Sequence, residues 1–271
     1  MKACKLDGVG VLVTRPSGLS EPLAGEIRQH GGEPVMFPGL QIEPLIPEQM
    51  QSLPPHLIDV DLVVFVSPTS VRLGLPAMHQ RYGALERVRI AAVGQSTADG
   101  LKEHGFSDVI APIGSSGARA LVDCPQLHHV SGWTVLVVRG EGGSDELDRV
   151  LRGRGANVVP FECYRRCLPQ RSFSHVEPLL RNGRIGAWMA TSGEILDNMF
   201  HLAGEHGELL RTTPLFVNHP HVAARGFSRS VKVIFVTTGG DNGLMAGLLT
   251  WFCRRRDPSP LTEVSTTHTL K

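Results

Sequence analysis

The sequence lacks an excess of charge of either sign. Its 271 residues include 27 lysines and arginines against 26 aspartates and glutamates, which leaves a formal net charge of +1. This balance produces no overall field that would draw the protein onto nucleic acid or an anionic membrane. Neither is expected as a partner, so any anionic ligand has to be held by local groups.

Long hydrophobic runs are also absent. The longest late apolar stretch, 243–252, has about half of the ~20 residues that a membrane-spanning helix needs, and it predicts a buried amphipathic helix. Residues 1–7 contain neither the apolar core nor the small-residue cleavage site of a signal peptide. We therefore expect no export and a cytoplasmic location.

The usual metal, nucleotide and hydrolase motifs are missing. Of the five cysteines only Cys163 and Cys167 lie close together, with three residues between them rather than two, so reduced cytosolic thiols are expected. The twelve histidines contain no H-E-x-x-H pattern, which favours surface or capping roles over metal ligation. No Walker motif, dinucleotide fingerprint or G-x-S-x-G elbow occurs. The sequence predicts neither a metal nor another cofactor.

What is present is a globular composition with regularly spaced apolar segments. With 41% apolar and 20% charged residues, the chain fits two folded domains at ~150 residues each. Short Val/Ile/Leu runs, typical of strands covered on both faces, fall at 9–14, 62–66, 90–93, 108–110, 135–138, 158–160, 187–190, 215–217 and 231–236. Helix-length stretches separate most of them, for example 19–30, 97–104 and 145–154. This alternation predicts an α/β fold with parallel, flavodoxin-like or Rossmann-like sheets.

A shift of 124 residues aligns one half of the chain with the other (139 − 15 = 124). The shift superimposes the pairs Arg15 and Arg139, Gly31 and Gly155, Val35 and Val159, Ser67 and Thr191, Val93 and Val217, and Ile110 and Ile234. Matches in one register across several elements favour an internal duplication that gives two similar lobes.

Two proline-punctuated segments at matching points of the repeat predict linkers between these lobes. Lobe one is expected to comprise 1–38 and 171–254, and lobe two 45–160. The segments 39–44 and 161–170 are expected to form a two-stranded β linker that acts as a hinge. The polar tail, 255–271, is expected to be disordered.

Seven predicted strand-to-helix junctions are rich in hydroxyl residues and glycine. They begin at Thr14, Ser67, Gly94, Gly114, Arg139, Thr191 and Thr237. Ligands of open parallel sheets bind at such junctions, and the free N–H groups of helix N-termini favour anions. One junction of this kind is ordinary helix capping, whereas seven favour a ligand with several carboxylates.

Five of the segments carry a resemblance to a known family. They are Leu12-Val13-Thr14-Arg15-Pro16, Val64-Phe65-Val66-Ser67, Ala92-Val93-Gly94-Gln95-Ser96-Thr97-Ala98, Val137-Val138-Arg139-Gly140, and Gly155-Ala156-Asn157-Val158 leading to Tyr164-Arg165-Arg166. In order and spacing they resemble uroporphyrinogen-III synthases from about Val9 to Val236.

The resemblance implies a two-lobed lyase of heme biosynthesis with a discontinuous first domain. Such an enzyme cyclises hydroxymethylbilane, which carries acetate and propionate groups on four pyrroles, with loss of water and inversion of ring D. It uses no cofactor or metal. A monomer is expected, with a possible transient contact to the enzyme that supplies hydroxymethylbilane.

The resemblance also implies roles for individual residues. Tyr164 is expected to protonate the leaving hydroxyl, since a phenol keeps its proton at neutral pH; the alternative is that it anchors the hinge. Substrate contacts are expected from Thr14, Arg15, Ser67, Thr97, Arg139 and Ser192. Arg15 and Arg139 have the alternative of bracing their own loops. The chain departs from the family pattern at Thr69 and at Asn218-His219-Pro220-His221.

Two other functions remain open at this point. A two-lobed solute-binding protein would share the lobes and the hinge, but it would be exported. A protein of this family that binds a tetrapyrrole without turnover is the second alternative, and the departures at Thr69 and His219 are the features that favour it.

Overall fold

The computed structural model describes residues 5–45, 56, 59–83, 85, 88–237, 240–256 and 268–269. The chain divides into two compact units, which are residues 1–41 with 167–271, and residues 42–166. In chain order the first elements are β1 (Gly10–Val13), α1 (Glu21–Gln29), β2 (Glu33–Met36) and β3 (Gln41–Pro44).

The middle of the chain contributes most of the unit formed by 42–166. Its elements are β4 (Leu62–Phe65), α2 (Pro68–Tyr82), β5 (Arg89–Ala92), α3 (Gln95–Glu103), β6 (Val109–Ile110), α4 (Ala118–Val122), β7 (Thr134–Gly140), α5 (Glu146–Gly153) and β8 (Asn157–Cys167).

The last part of the chain returns to the other unit. Its elements are α6 (Glu177–Arg181), β9 (Ile185–Ala190), α7 (Gly193–Ala203), α8 (Gly207–Thr212), β10 (Leu215–Val217), α9 (Pro220–Ser228), β11 (Ile234–Val236), α10 (Gly240–Arg256) and β12 (His268–Thr269).

Each unit is built on one six-stranded sheet. The strand order is β12-β11-β10-β9-β1-β2 in the discontinuous unit and β3-β8-β7-β4-β5-β6 in the other. The pairs from β12 to β2 are parallel, as are those from β8 to β6. The predicted α/β fold with two similar parallel-sheet lobes, the first discontinuous, is therefore confirmed.

The continuous apolar strands have cores on both faces of the sheet. In β4, Leu62 and Val64 pack into one buried cluster with residues of α4 and α5. Val63 and Phe65 point the other way, into a cluster with residues of α2 and α3. Successive side chains of a strand alternate between faces, so a fully apolar strand requires helices on both sides.

The 124-residue shift recurs in the secondary structure. It takes β1 onto β7, α1 onto α5, β4 onto β9, α2 onto α7 and β5 onto β10. Each sheet joins the first strands of one repeat to the last strands of the other, because β1 pairs with β9 and β7 pairs with β4. The two repeats therefore exchange halves, and neither sheet is made from one repeat alone.

Some expectations differ from the structure in detail. The 158–160 run and residues 161–167 of the predicted linker segment form one continuous strand, β8. β2 is a strand that the apolar runs did not predict. β3 is hydrogen-bonded to β8, while the action of this pair as a hinge stays a prediction. The lobe and linker bounds given above also stay predictions.

The cysteines show one difference from the expected thiols. Cys124, Cys163 and Cys167 form no disulfide, but Cys253 is disulfide-bonded, so the expectation of reduced thiols is wrong for that residue. The spacing of cysteines along the chain does not reveal which elements the fold brings together.

The C-terminal part of the described chain is formed by α10 and β12. The helix predicted within 243–252 is the central part of α10. The predicted disordered tail lies outside the described residues except for 255–256, which end α10, and 268–269, which pair with β11. Among the described residues, no helix combines the length and the apolar character needed to cross a membrane.

A fragment of residues 42–166 should fold on its own, because it contains five neighbouring parallel strands and both core clusters. Circular dichroism should show native-like helix content and a cooperative thermal transition. A fragment of residues 1–124 is the control: it separates β1 from β9 and β4 from β7, and we expect no cooperative transition. A cooperative transition in the 1–124 fragment, together with none in the 42–166 fragment, would contradict the exchange of halves.

Candidate active site

A cavity of about 480 Å³ lies at the carboxyl end of the sheet in the unit formed by 42–166. Its lining includes residues that follow β4 and β5, residues 116–118 at the start of α4, the end of β7 with the loop after it, and Tyr164 of β8. Four of the predicted site residues line it together: Ser67, Thr97, Arg139 and Tyr164. This is the position at which open parallel sheets bind ligands.

Ser67 is fixed by the start of α2. Its hydroxyl accepts a hydrogen bond from the Ser70 N–H at 3.0 Å, and the Ser70 hydroxyl in turn accepts the Ser67 N–H at 3.0 Å. This reciprocal pair is a capping box, which satisfies two backbone donors. The Ser67 hydroxyl is thus held in one orientation beside the cavity, with its own proton still available for donation.

The hydroxyl group of Tyr164 lies next to that of Ser67 in the wall of the cavity. The two hydroxyl oxygens are 3.4 Å apart, which is longer than the ~2.7–2.8 Å of an ordinary hydroxyl pair. Tyr164 is only 6% exposed, because its ring lies over the backbone of Gly140, its partner in the β7–β8 pairing. A Cβ atom at Gly140 would lie 2.5 Å from the Tyr164 ring. Only glycine at position 140 leaves room for the ring in this place.

Thr97 and its surroundings form the wall opposite β7. Thr97 is 3% exposed and lies in the first turn of α3, whose N-cap is Gly94. A Cβ atom at Gly94 would come within 2.9 Å of the Ser116 Cβ, so the two loops at this edge are in close contact. The first N–H groups of a helix have no partner within the helix, and α2 and α3 both begin at the cavity.

Arg139 is paired rather than free. Its Nη1 atom lies 3.2 Å from Asp148 Oδ2 and 3.2 Å from the Ser144 carbonyl oxygen, and its Nε atom lies 3.7 Å from Glu162 Oε1. Asp148 is 2% exposed. Of the two roles predicted for Arg139, the contacts favour the bracing of its own loop.

The remaining predicted residues lie in the discontinuous unit. The Thr14 hydroxyl is buried and donates to the Met189 carbonyl, so any ligand contact of Thr14 would use its backbone. Arg15 pairs with Asp241 at 2.5 Å. Ser192 caps α7, since its hydroxyl accepts the Ile195 N–H at 3.2 Å. Substrate contact by these residues stays a prediction.

The two departures from the family pattern have different surroundings. Thr69 is buried at 8% exposure in the first turn of α2 and does not line the cavity. His219 caps the start of α9 without a side-chain hydrogen bond, and its ring stacks on that of His221 with centroids 5.3 Å apart. The Asn218 Oδ1 atom is buried without a hydrogen-bond partner in the structure.

Several residues of the cavity and its support were missed in the sequence. Gly140, Ser116 and Arg166 line the cavity, and the first two belong to junctions that were noted only as glycine- and serine-rich. Asp148 is a further omission. It shares the buried face of α5 with Leu147 and Leu151, and an acidic residue on an apolar helix face was the signal that would have revealed it.

Cys163 is the titratable group next to Tyr164 in the sequence, and it is not a nucleophile. Burial raises the pKa of its thiol to about 12, and the thiol donates to the Arg139 carbonyl oxygen at 3.5 Å. A thiol with this pKa is uncharged at neutral pH, whereas the thiolate is the reactive form. Among the described residues, no cluster of three or more His, Cys, Asp and Glu side chains could hold a metal ion.

The two parallel-sheet units and the cavity at the strand ends define a two-lobed α/β protein with its site at the carboxyl edge of a sheet. Residues 21–239 match the family model described as uroporphyrinogen-III synthase HemD. Because this match spans most of the chain, the chain belongs to the uroporphyrinogen-III synthase family.

Individual relatives agree with this assignment. The uroporphyrinogen-III synthase of Salmonella typhimurium is 31% identical over 201 residues, which cover 72% of this chain and 80% of that protein. The uroporphyrinogen-III synthase of Escherichia coli is 27% identical over 198 residues, with the same coverage of 72% and 80%.

Solved structures share the fold. A mutant uroporphyrinogen III synthase from Thermus thermophilus has a TM-score of 0.60 at 19% identity and covers 93% of this chain and 100% of its own. The corresponding synthetase from Helicobacter pylori has a TM-score of 0.60 at 13% identity, with coverage of 90% and 99%. At these identities the likeness concerns the fold alone.

The Gly140→Ala substitution should lower the free energy of unfolding by about 1–3 kcal/mol, the usual effect of overpacking. The added methyl group must displace the Tyr164 ring, because its Cβ would lie 2.5 Å away. Urea denaturation measures the change. Gly153→Ala is the matched control, since a Cβ at Gly153 meets no atom within 4 Å. Equal stability of the Gly140→Ala variant and the wild type would show that the ring is not confined as described.

Proposed function

We propose that this protein is a uroporphyrinogen-III synthase, which converts hydroxymethylbilane to uroporphyrinogen III. The observation that carries this proposal is the Tyr164–Ser67 hydroxyl pair in a cavity bordered by two helix N-termini, in a chain of this family. The reaction releases the terminal hydroxyl as water, forms a spiro intermediate through the substituted carbon of ring D, and reopens and recloses that ring in the inverted orientation.

The helix starts around the cavity suit the carboxylates of this substrate. α2 and α3 each have at least nine residues and begin at the cavity edge. The free N–H groups and the positive end of a helix dipole stabilise an anion by about 0.3–1 kcal/mol at an exposed site. Backbone donors of this kind bind several acetate and propionate groups without a net positive charge on the protein.

Tyr164 is the candidate acid for the departure of the hydroxyl. Its phenol donates a proton to the leaving oxygen, so that water is released, and the proton lost from ring D at the final closure restores the phenol. The Ser67 hydroxyl, held by the capping box, orients the phenol from 3.4 Å. The remaining contribution to catalysis is the positioning of the substrate. A bound geometry that permits only ring closure with inversion excludes the easier closure without inversion.

The catalytic proposal is favoured over a binding protein without turnover. Thr69, one of the two departures that suggested such a protein, is buried in α2 and does not line the cavity. The other departure lies in the discontinuous unit, whereas the Tyr164–Ser67 pair lies in the unit formed by 42–166. A proton donor with an orienting hydroxyl is a requirement of turnover, not of binding alone.

We also propose a cytoplasmic monomer. The supporting features are the family to which the chain belongs and the balanced charge of its sequence. A transient contact with the enzyme that supplies hydroxymethylbilane is part of the same proposal. Sedimentation equilibrium of the purified protein tests the monomeric state, and the same measurement on its mixture with that enzyme tests the transient contact.

The assay for the proposed function supplies hydroxymethylbilane, oxidises the products and separates isomer III from isomer I. Tyr164→Phe should lower turnover by ~10² or more, the lower range for general acid catalysis. Ser67→Ala and Thr97→Ala should each cost roughly five-fold, since one hydrogen bond contributes about 1 kcal/mol. Circular dichroism and thermal midpoints check the fold, because Ser67 also caps α2. Near-normal turnover of Tyr164→Phe, with loss of activity in Ser67→Ala, would make Tyr164 a hinge residue.

Catalysis should not require a metal ion. The protein treated exhaustively with EDTA should retain its rate of isomer III formation, because the proposed steps use hydroxyl groups and backbone N–H donors of the protein. The same protein with added zinc or magnesium is the comparison. Loss of turnover on chelation and recovery with either ion would refute this part of the proposal.

A further inference from the structure

We propose that Arg139 and Asp148 form a buried pair that positions Tyr164, and that Arg139 acts through this pair instead of through the substrate. The proposal rests on the proposed function for its kinetic consequence, while its structural part concerns the Tyr164 ring itself. It assigns a role to Asp148 and replaces the role expected for Arg139 from family resemblance.

The Arg139 side chain connects three parts of the site. Its guanidinium contacts Asp148 on α5, the Ser144 carbonyl in the loop between β7 and α5, and Glu162 on β8. The Arg139 side chain is 12% exposed and lies in the wall of the cavity. Both of its hydrogen bonds, to Asp148 and to the Ser144 carbonyl, use Nη1, so the two donors of this nitrogen are committed to the protein and not to a substrate carboxylate.

Asp148 is suited to fix the arginine and not to bind a ligand. It is 2% exposed, and Arg139 is its nearest cation at 3.2 Å, with Arg152 at 3.9 Å. The Asp148 Oδ1 atom has no hydrogen-bond partner in the structure, so the carboxylate depends on these cations. A buried carboxylate without its partner is strongly unfavourable, and this keeps Arg139 turned toward α5.

The loop held by Arg139 is the same loop that contacts Tyr164. The Gly143 N–H donates to the Gly140 carbonyl at 3.1 Å, and the Gly143 Cβ position is 3.3 Å from Arg139 Cδ, so the loop folds against the arginine stem. The Glu141 N–H donates to the Tyr164 carbonyl at 2.7 Å. The Tyr164 ring packs on the backbone of Gly140.

The pair therefore holds both the backbone and the ring of Tyr164. If the pair is broken, the loop from 140 to 144 loses its anchor and the phenol moves relative to Ser67, from which it is already 3.4 Å distant. A displacement of about 1 Å at a reacting group can lower the rate by ~10². Binding of the substrate elsewhere in the cavity changes little, so the effect falls on kcat and not on KM.

The structural test uses the fact that the chain has only two tyrosines, Tyr82 and Tyr164. Protein labelled with 3-fluorotyrosine gives two fluorine resonances, which Tyr82→Phe assigns. Asp148→Asn and Arg139→Gln should each shift or broaden the Tyr164 resonance and leave the Tyr82 resonance in place. Arg149→Gln is the matched control, because it removes an exposed ion pair with Asp145 on the same helix; it should move neither resonance.

The kinetic test is a double-mutant cycle on the same variants. Each single variant should lower kcat by about ten- to hundred-fold with KM within roughly three-fold. The double variant should be no slower than the worse single one, because both changes break one interaction. If Arg139 instead bound the substrate directly, Arg139→Gln would raise KM at least ten-fold, Asp148→Asn would not, and the proposal would be overturned.

A failure to fold and a failure of the proposed function can each be distinguished from a failure of the positioning role. If Asp148→Asn does not fold, Arg139→Lys replaces it, because a lysine keeps the charge but has one nitrogen in place of the two, Nη1 and Nε, that lie beside Asp148 and Glu162. If the wild type forms no isomer III, the proposed function fails, and the fluorine spectra still decide the positioning. An unchanged Tyr164 resonance in folded variants of both residues overturns the pair's role.

Discussion

The pairing of β1 with β9 is the interaction on which the discontinuous unit depends. Val11 and Leu12 lie opposite Ala187 and Trp188, in strands more than 170 residues apart in sequence. The pair is locked at its end by the Thr14 hydroxyl, which donates to the Met189 carbonyl. One core cluster therefore draws on both ends of the chain, because residues of β1 pack with those of β10 and α10. α1 and α10 share this core, so they pack on the sheet together only after this closure.

The two repeats share their strands and helices but differ at the positions of Tyr164 and Gly140. The residue equivalent to Tyr164 at a shift of 124 is Leu40, which is buried at 6% exposure, and the residue equivalent to Gly140 is Pro16. The discontinuous unit thus has no counterpart of the phenol that lies on a glycine backbone. Arg15 and Arg139 do correspond, and each is engaged by a carboxylate. The common feature of the two repeats is an arginine paired with a carboxylate, and the proposed proton donor, Tyr164, belongs to one of them.

The sheets could be predicted from the sequence because a buried parallel strand is apolar on both faces, as 62–65 is. Part of the site could also be predicted from the sequence, because glycine and hydroxyl residues after strands indicated the cavity edge at Ser67 and Thr97. β8 was harder, because Pro160 and the polar run after it resemble a linker, and pairing with β7 extends the strand. The ion-pair partners of Arg139 could not be predicted from the sequence, since a sequence pattern indicates which face of a helix is buried and not which carboxylate an arginine contacts.

The exchange of halves also sets an order of events during synthesis. The unit formed by 42–166 has its neighbouring strands on one continuous stretch, so it can close soon after it leaves the ribosome. β1 and β2 cannot, because β9 begins only at Ile185. At ~5–20 residues per second, the apolar strand β1 waits on the order of ten seconds for its partner. The N-terminal segment is therefore the part of the nascent chain for which protection by a chaperone matters most.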